Sequence, residues 1–373
     1  MNSSTTLSRV IISGGGTGGH IFPALAIANA IRKAYPLVHI LFVGAEGRME
    51  MQKVPEAGYE IIGLPIAGIQ RSLSLKNLSL PYKLYKSLSR ARKLMKSFQP
   101  QVVIGVGGYA SGPTLFMAQR LGIPTLIQEQ NSYAGLTNKW LAKNAATICV
   151  AYDGMERFFP KTKIVKTGNP IRSIISQSEI TKSAAALFWR LDANKTTVLI
   201  IGGSLGARTI NQSIAAGLQQ LIEAGIQIIW QTGKAYFEQA KELTNTLDSS
   251  KQQVLVFDFI KDMDQAYAVA DIVVSRAGAL SVSELSVVGK AAVLVPSPNV
   301  AEDHQTQNAL ALTSKNAAIL VKDANAQQSL VNELMSLIHN VDQQAALSKN
   351  IKHLAIADAD SRILQEIEKL ITS

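Results

Sequence analysis

Short, β-branched apolar runs alternate with longer amphipathic stretches along this chain. In the first half the runs are Arg9–Ser13, Val38–Val43, Glu60–Leu64, Gln101–Val106, Pro124–Ile127 and Thr147–Ala151. In the second half they are Thr197–Ile201, Ile226–Trp230, Gln253–Phe257, Asp271–Ser275 and Ala291–Pro296. The runs are nearly continuous in hydrophobicity rather than alternating, as expected of strands buried on both faces. They predict an α/β fold of parallel sheets covered by helices and joined through right-handed βαβ units. A strand-like run ends at the turn Thr167-Gly168-Asn169-Pro170, and Lys195 opens a second strand–glycine-loop–helix unit like the one at Arg9. Two similar doubly wound halves are expected, with a cleft between them. The last segment, Ser361–Ile371, places Ile363, Leu364, Ile367 and Leu370 at helical spacing, and by pattern alone it could pack on either half.

Composition narrows the class. A chain of 373 residues corresponds to two or three domains at ~150 residues each. With 47% hydrophobic and 17% charged residues it can fill large cores. Cys149 is the only cysteine, which excludes a disulfide framework and multi-cysteine metal sites. The polar N-terminus lacks a basic cluster, the first apolar run breaks at Gly14, and no apolar stretch nears the ~20 residues of a membrane span. A soluble, reducing, cytoplasmic setting is the expectation. The net charge of +10 favours an anionic partner, whether nucleic acid, anionic lipid or a phosphorylated substrate. Its distribution says more: no Asp or Glu occurs between Ile61 and Gln128, whereas eight Lys and Arg residues fall between Arg71 and Lys96.

Four glycine loops follow predicted strands: Gly14–His20, Gly105–Pro113, Gly202–Arg208 and Arg276–Glu284. A strand, a glycine loop and a helix start together aim backbone N–H groups and a positive dipole end at one point, where an anion or a hydroxyl can bind. Gly14, Gly16 and Gly19 match G-x-G-x-x-G, and Glu46 ends the next strand, so a dinucleotide-dependent oxidoreductase is a live reading. The Gly202–Ala207 loop departs from that pattern, which weighs against it. A nucleic-acid binder is the other reading of the charge, but the basic stretch has few aromatics and no known binding motif. Any one loop alone reads as a packing turn; four at strand ends favour one shared ligand pair.

The motifs themselves are more specific. Gly14-Gly-Gly-Thr-Gly-Gly-His20 with Pro23, Gly107–Pro113, Gln128-Glu-Gln-Asn131, Ala134–Asn138 and Thr167–Pro170 with Arg172 occur in the first part of the chain. Gly202–Arg208 with Asn211, Phe259-Ile260, Ser275–Glu284, Asp303-His-Gln305 and Asn308-Ala309 follow. In this order and over nearly the whole chain they resemble the MurG family of N-acetylglucosaminyltransferases. The resemblance implies a GT-B fold, two Rossmann-like domains with an interdomain cleft: residues 1–168 on the acceptor and membrane side, 169–354 for the nucleotide sugar, and 355–373 packing back on the first. Another GT-B transferase with a different acceptor is the closest rival.

That family moves N-acetylglucosamine from UDP-N-acetylglucosamine to the 4-hydroxyl of lipid I, giving lipid II for peptidoglycan synthesis, and thereby serves cell shape and division. The resemblance implies inversion, no cofactor and no metal. Asp262 and Asp264 form an Asp-x-Asp that could suggest a metal, but acids are favoured in the first turn of a helix, and they are read as a helix N-terminal pair. His20 is the first candidate base, because imidazole ordinarily titrates near ~6.5; Glu129 is its rival, or a residue that orients it. On the donor side the resemblance places Thr17, Gly18, Gly19, Asn131, Arg172, Ser204, Ile260 at the uracil, Ala279, Leu280, Ser281, Val282, Ser283, Glu284 at the ribose, and Gln305 at the amino sugar. Tyr109, Ser111 and Asn138 are the acceptor-side candidates.

Lipid I lies in a membrane, and Arg71–Phe98 interleaves Lys83, Lys86, Arg90, Arg92, Lys93 and Lys96 with Leu73, Leu75, Leu78, Leu80, Leu84, Tyr85 and Leu88. Peripheral binding to an anionic membrane surface, at the cytoplasmic face of the inner membrane, is the expectation. An ordinary helix packing its leucines inward is the alternative. Other proteins of cell-wall synthesis are further candidate partners; nucleic acid is not.

Overall fold

A computed structural model describes residues 6–66, 80–247 and 253–372. By internal contacts the chain divides into two units, Met1–Ile171 with Ala357–Ser373, and Arg172–Ile356. The break falls just past the Gly168-Asn169-Pro170 turn, because the Asn169 amide bonds to Gln128 and Gln130 of the first unit. The returning segment begins at Ala357 rather than Ala355.

Among the described residues the first unit holds seven strands: β1 (Arg9–Ser13), β2 (His39–Ala45), β3 (Glu60–Leu64), β4 (Val102–Gly105), β5 (Thr125–Glu129), β6 (Thr147–Val150) and β7 (Ile164–Lys166). The second holds β8 (Thr197–Ile201), β9 (Gln227–Gln231), β10 (Val254–Phe257), β11 (Ile272–Ser275), β12 (Ala291–Leu294) and β13 (Ile319–Leu320). Every pairing is parallel, in the orders β3-β2-β1-β4-β5-β6-β7 and β10-β9-β8-β11-β12-β13. In each sheet the winding direction reverses beside the first strand, between β1 and β4 and between β8 and β11. Parallel α/β sheets leave a ligand crevice at that point, beyond the strand carboxyl ends.

Burial explains the continuous apolar runs. On one face of the first sheet Val10, Ile12, Ile40, Phe42 and Ile104 pack on Ala24, Ile27 and Ile31 of the helix Gly18–Ala34. On the other face Ile11, Leu41, Val43 and Val103 pack on Leu94, Met95 and Leu115. In the second sheet Val198, Ile200, Ile228 and Trp230 meet Ile210, Ile214 and Leu218 of the helix Arg208–Glu223 and Leu330 and Leu334 of the helix Ala326–Ile338.

The helix Ala359–Thr372 inserts Ile363 and Ile367 into the first unit's core, beside Val10, Ile12 and Cys149. Tyr35 Oη donates to Glu368 at 2.7 Å, tying this helix to the end of Gly18–Ala34. Burial, with the Glu366 carboxylate nearby, pushes the Cys149 thiol up to about 12.

Of the basic segment, Arg71, Leu73, Leu75 and Leu78 lie outside the described residues. The helix Leu80–Phe98 buries Ser87, Ala91, Leu94 and Met95. Leu84, Tyr82 and Tyr85 are exposed while Leu80 and Leu88 are half-buried, so the leucines of this helix are divided between its inner and outer faces. Among the described residues no helix is long and apolar enough to cross a membrane.

Truncating Ile367 to Ala should cost about 2–5 kcal/mol. It should also open Cys149 to thiol reagents that the native protein resists. Urea unfolding and the rate of thiol modification measure both; an unchanged midpoint and an unchanged rate would contradict this docking.

Candidate active site

In the first unit the carboxyl ends of β1, β4 and β5 carry the predicted residues. The loop after β1 runs Gly14–Thr17, and the helix begins at Gly18 with Thr17 as its N-cap. Thr17 and Gly19 are exposed and Gly18 is half-buried. Their positions at a helix N-terminus suit hydrogen bonding to an oxygen-rich ligand. His20 sits half-buried in the first turn, with Nδ1 2.9 Å from Gln130 Oε1.

The loop after β4 is folded against this one. Gly107 has φ +94°, and a Cβ there would lie 2.8 Å from His20 Cε1. Gly108 has φ +85°, and its Cβ would come within 2.3 Å of the Gly15 carbonyl oxygen. Glycine is needed at both positions for the backbone conformation and for the close approach. The Tyr109 side chain is exposed at this edge. Ser111 is fully buried, and its hydroxyl lies 2.7 Å from the Ser13 carbonyl and 2.8 Å from that of Gly107. It braces the two loops that carry the acceptor-side candidates.

Glu129 ends β5 and is 1% exposed. Its Oε1 accepts from the Asn131 N–H and Nδ2, and its Oε2 from the Gly135 N–H and Asn138 Nδ2, over 2.8–3.3 Å. A carboxylate has about four accepting directions, and these donors fill them. The geometry makes Glu129 an organiser of the 130–138 segment. Asn138 is itself buried, its Nδ2 donating to Glu129 while its Oδ1 has no hydrogen-bond partner among the described residues. Asn131 is half-buried.

In the second unit Ser204 is exposed on the loop after β8. Gln231, at the end of β9, donates from Nε2 to the Gly203 carbonyl at 3.0 Å and accepts at Oε1 from the Ile260 N–H at 2.9 Å. Of the Ile260 backbone groups expected at a base, the N–H is thus engaged and the carbonyl is the one to present. The helix Ala279–Val288 starts after Gly278 and offers the first-turn amides of Ala279, Leu280 and Ser281. Val282 is buried with its N–H on the Gly278 carbonyl, and the Ser283 hydroxyl returns to Ala279, so both side chains serve the helix.

Glu284, near the middle of that helix, meets Arg172 in a two-pronged pair, Nε to Oε1 at 3.0 Å and Nη2 to Oε2 at 3.2 Å. Tyr267 Oη donates to the same Oε2 at 3.2 Å. Burial opposes the Arg172 charge, but the Glu284 carboxylate outweighs it and holds the guanidinium pKa above its ordinary value. Burial, reinforced by Glu284, raises the Tyr267 phenol well above its own. Arg172 is therefore placed on Glu284, whose carboxylate keeps about one accepting direction beyond Arg172 and Tyr267. Gln305 accepts at Oε1 from the Ser297 N–H at 2.8 Å. It follows Glu302 and Asp303, both with left-handed backbone (φ 53° and 52°), a costly conformation for non-glycine residues. Asp262 is the N-cap of the helix Met263–Val269 and Asp264 lies in its first turn, as the pair was read.

The relatives of this sequence decide its class. Models of the glycosyltransferase family 28 N-terminal and C-terminal domains match residues 10–150 and 197–363. Curated relatives from Cytophaga hutchinsonii and Bacteroides fragilis are each 56% identical, covering 98% and 97% of this chain and 97% and 95% of theirs. Both are named UDP-N-acetylglucosamine–N-acetylmuramyl-(pentapeptide) pyrophosphoryl-undecaprenol N-acetylglucosamine transferase. The crystal structure of Acinetobacter baumannii MurG superposes with a TM-score of 0.79 at 30% identity, covering 97% of this chain and 99% of that one. The chain belongs to glycosyltransferase family 28. It is a MurG-type hexosyltransferase of GT-B fold.

Several residues that shape this family-28 site are given no role by the sequence, Glu50 because it lies in no motif and Asn308 although it stands within one. Glu50 is 1% exposed, and its carboxylate accepts from the Gly16 N–H at 2.8 Å and the Ala45 N–H at 3.0 Å, fixing the loop that precedes His20. The Gly16 amide is thus spent inside the protein rather than on a ligand. Asn308, fully buried, donates to the Ala277 carbonyl at the end of the loop after β11. Glu46, the acid of the dinucleotide reading, is instead paired with Arg90 at 2.7 Å.

Gly107→Ala should displace His20 and lower the transfer rate by about a hundredfold, the scale of an ångström-sized misplacement. Circular dichroism should stay native. A Gly107→Ala enzyme with full activity would contradict the packing described.

Proposed function

We propose that this enzyme transfers N-acetylglucosamine from UDP-N-acetylglucosamine to the 4-hydroxyl of the muramoyl sugar of lipid I, inverting the anomeric carbon and releasing UDP. The observation that carries this reading is the near-full-length identity to curated relatives that bear the activity in their names. The chemistry available in each unit supports it. His20 takes the acceptor hydroxyl proton as that oxygen bonds to the anomeric carbon. The carbon–oxygen bond to the diphosphate breaks, and its electron pair leaves with UDP. The Ser204 hydroxyl and the amides of Ala279, Leu280 and Ser281 hold the charge that grows there, donors already aimed before the reaction begins. Glu284 accepts from the ribose, the Ile260 carbonyl meets the uracil, and Gln305 donates to the amino sugar; Asn131, in the first unit, is a further amide proposed for that sugar. Thr17, Gly18 and Gly19 line the sugar and the acceptor diphosphate, with Tyr109 on the acceptor side.

The acceptor's polyprenyl chain requires a lipid surface, and we place the enzyme peripherally on the cytoplasmic face of the inner membrane. Tyr82, Tyr85, Lys86, Lys93 and Lys96 recur at helical spacing on the helix Leu80–Phe98 and are exposed. A stacked pair, Phe116 with exposed Trp140, and exposed Leu136 add apolar surface in the same unit. Basic charge and insertable rings together favour an anionic leaflet.

His20→Ala should lower kcat by about 10²–10⁴-fold while calorimetric binding of UDP-N-acetylglucosamine stays near wild type. A His20→Ala enzyme with wild-type kcat would remove it as the base. Changing Lys86, Lys93 and Lys96 to Glu should weaken cosedimentation with phosphatidylglycerol vesicles by at least about tenfold. Unaltered binding to such vesicles would rule this helix out as the membrane contact.

A further inference from the structure

Imidazole takes a proton only at the nitrogen that lacks one, and the partner of the other nitrogen decides which that is. His20 Nδ1 lies 2.9 Å from Gln130 Oε1. That contact leaves the tautomer open until the amide's orientation is known. The surroundings of Gln130 settle the orientation. Its side chain is 1% exposed, and its Nε2 is 3.0 Å from the Val106 carbonyl and 2.9 Å from the Gln128 carbonyl. The Gln128 side-chain carbonyl lies against the same nitrogen. Backbone carbonyls only accept, so the amide nitrogen faces them. Turning the amide over would set Oε1 against carbonyl oxygens and leave buried acceptors unpaired, at roughly 1–3 kcal/mol each. Oε1 therefore faces His20 and accepts from it. Asn169 completes the arrangement: its Oδ1 accepts from Gln128 Nε2 and its Nδ2 donates to the Gln130 carbonyl, each at 2.9 Å.

We infer that Gln130 is a positioning residue that keeps His20 in its Nδ1–H form, so that Nε2 is the atom that receives the acceptor's proton. The buried relay Asn169–Gln128–Gln130 links the turn near the end of the first unit to the tautomer of the base. This rests on His20 as the base in the proposed transfer. Gln130 acts through His20 and touches no reacting atom.

The test reads the tautomer and the rate separately. In full-length enzyme labelled with ¹⁵N-histidine, long-range ¹H–¹⁵N correlation, with the His20→Ala spectrum for assignment, should show His20 protonated at Nδ1. Gln130→Met keeps the volume and removes the acceptor. It should lower kcat by roughly tenfold to a hundredfold, part of the ~10²–10⁴ that a positioned base supplies. The KM for UDP-N-acetylglucosamine should hold, and the His20 signal should lose its Nδ1–H preference. An Nε2-protonated His20 in the wild-type enzyme, or a folded Gln130→Met enzyme with wild-type kcat, would overturn the inference. The wild-type spectrum decides even if Gln130→Met fails to fold. It also needs no turnover, so an unimpaired His20→Ala enzyme would remove the base assignment without touching the tautomer result.

Discussion

A buried carboxylate or amide must be matched by donors and acceptors, because each unpaired group costs roughly 1–3 kcal/mol. In this protein that demand is met at the carboxyl ends of the strands. Glu50 holds the Gly16 and Ala45 amides, Glu129 gathers the 130–138 segment, and Gln231 joins the loop after β8 to Ile260. Each is a residue that cannot turn away without stranding a polar group. The loops they hold are long and glycine-rich, and would otherwise be the least determined parts of the fold.

Two consequences follow for catalysis. The first is that the sheet supplies position rather than chemistry: apolar packing on both faces fixes where each strand ends, and the buried polar groups fix what happens one or two residues later. The second is that several residues of catalytic type are already committed. Glu129 and Ser111 spend their hydrogen-bonding capacity inside the protein, and Arg172 spends much of its own on Glu284. His20 differs, because its one firm partner leaves the opposite ring nitrogen to act.

Much of the fold was legible in the sequence, and the reasons are physical. Strands covered on both faces give unbroken apolar runs, and the limits of β1, β3 and β8 coincide with the runs that predict them. The edge strands β7 and β13 are only 3 and 2 residues long, too short for any apolar pattern to stand out. The glycine loops could be found because a tight approach admits no side chain, as Gly108 shows against Gly15. Gln231, Glu50 and Tyr267 could not, since an amide, carboxylate or phenol that braces a loop looks in sequence like many other residues, and Gln130 and Asn308 stood inside motifs without a role attached to either. Motif resemblance pointed to Glu284 and Arg172 singly, but only the folded chain shows them joined.

The most direct measurement is transfer itself. The enzyme would be given UDP-N-acetylglucosamine labelled in the sugar and a short-chain lipid I analogue in detergent. The account predicts that label moves to the analogue as a β-linked disaccharide, with UDP released in equal amount. Label that stays on the nucleotide, appears as free sugar, or reaches the analogue in α linkage would contradict it.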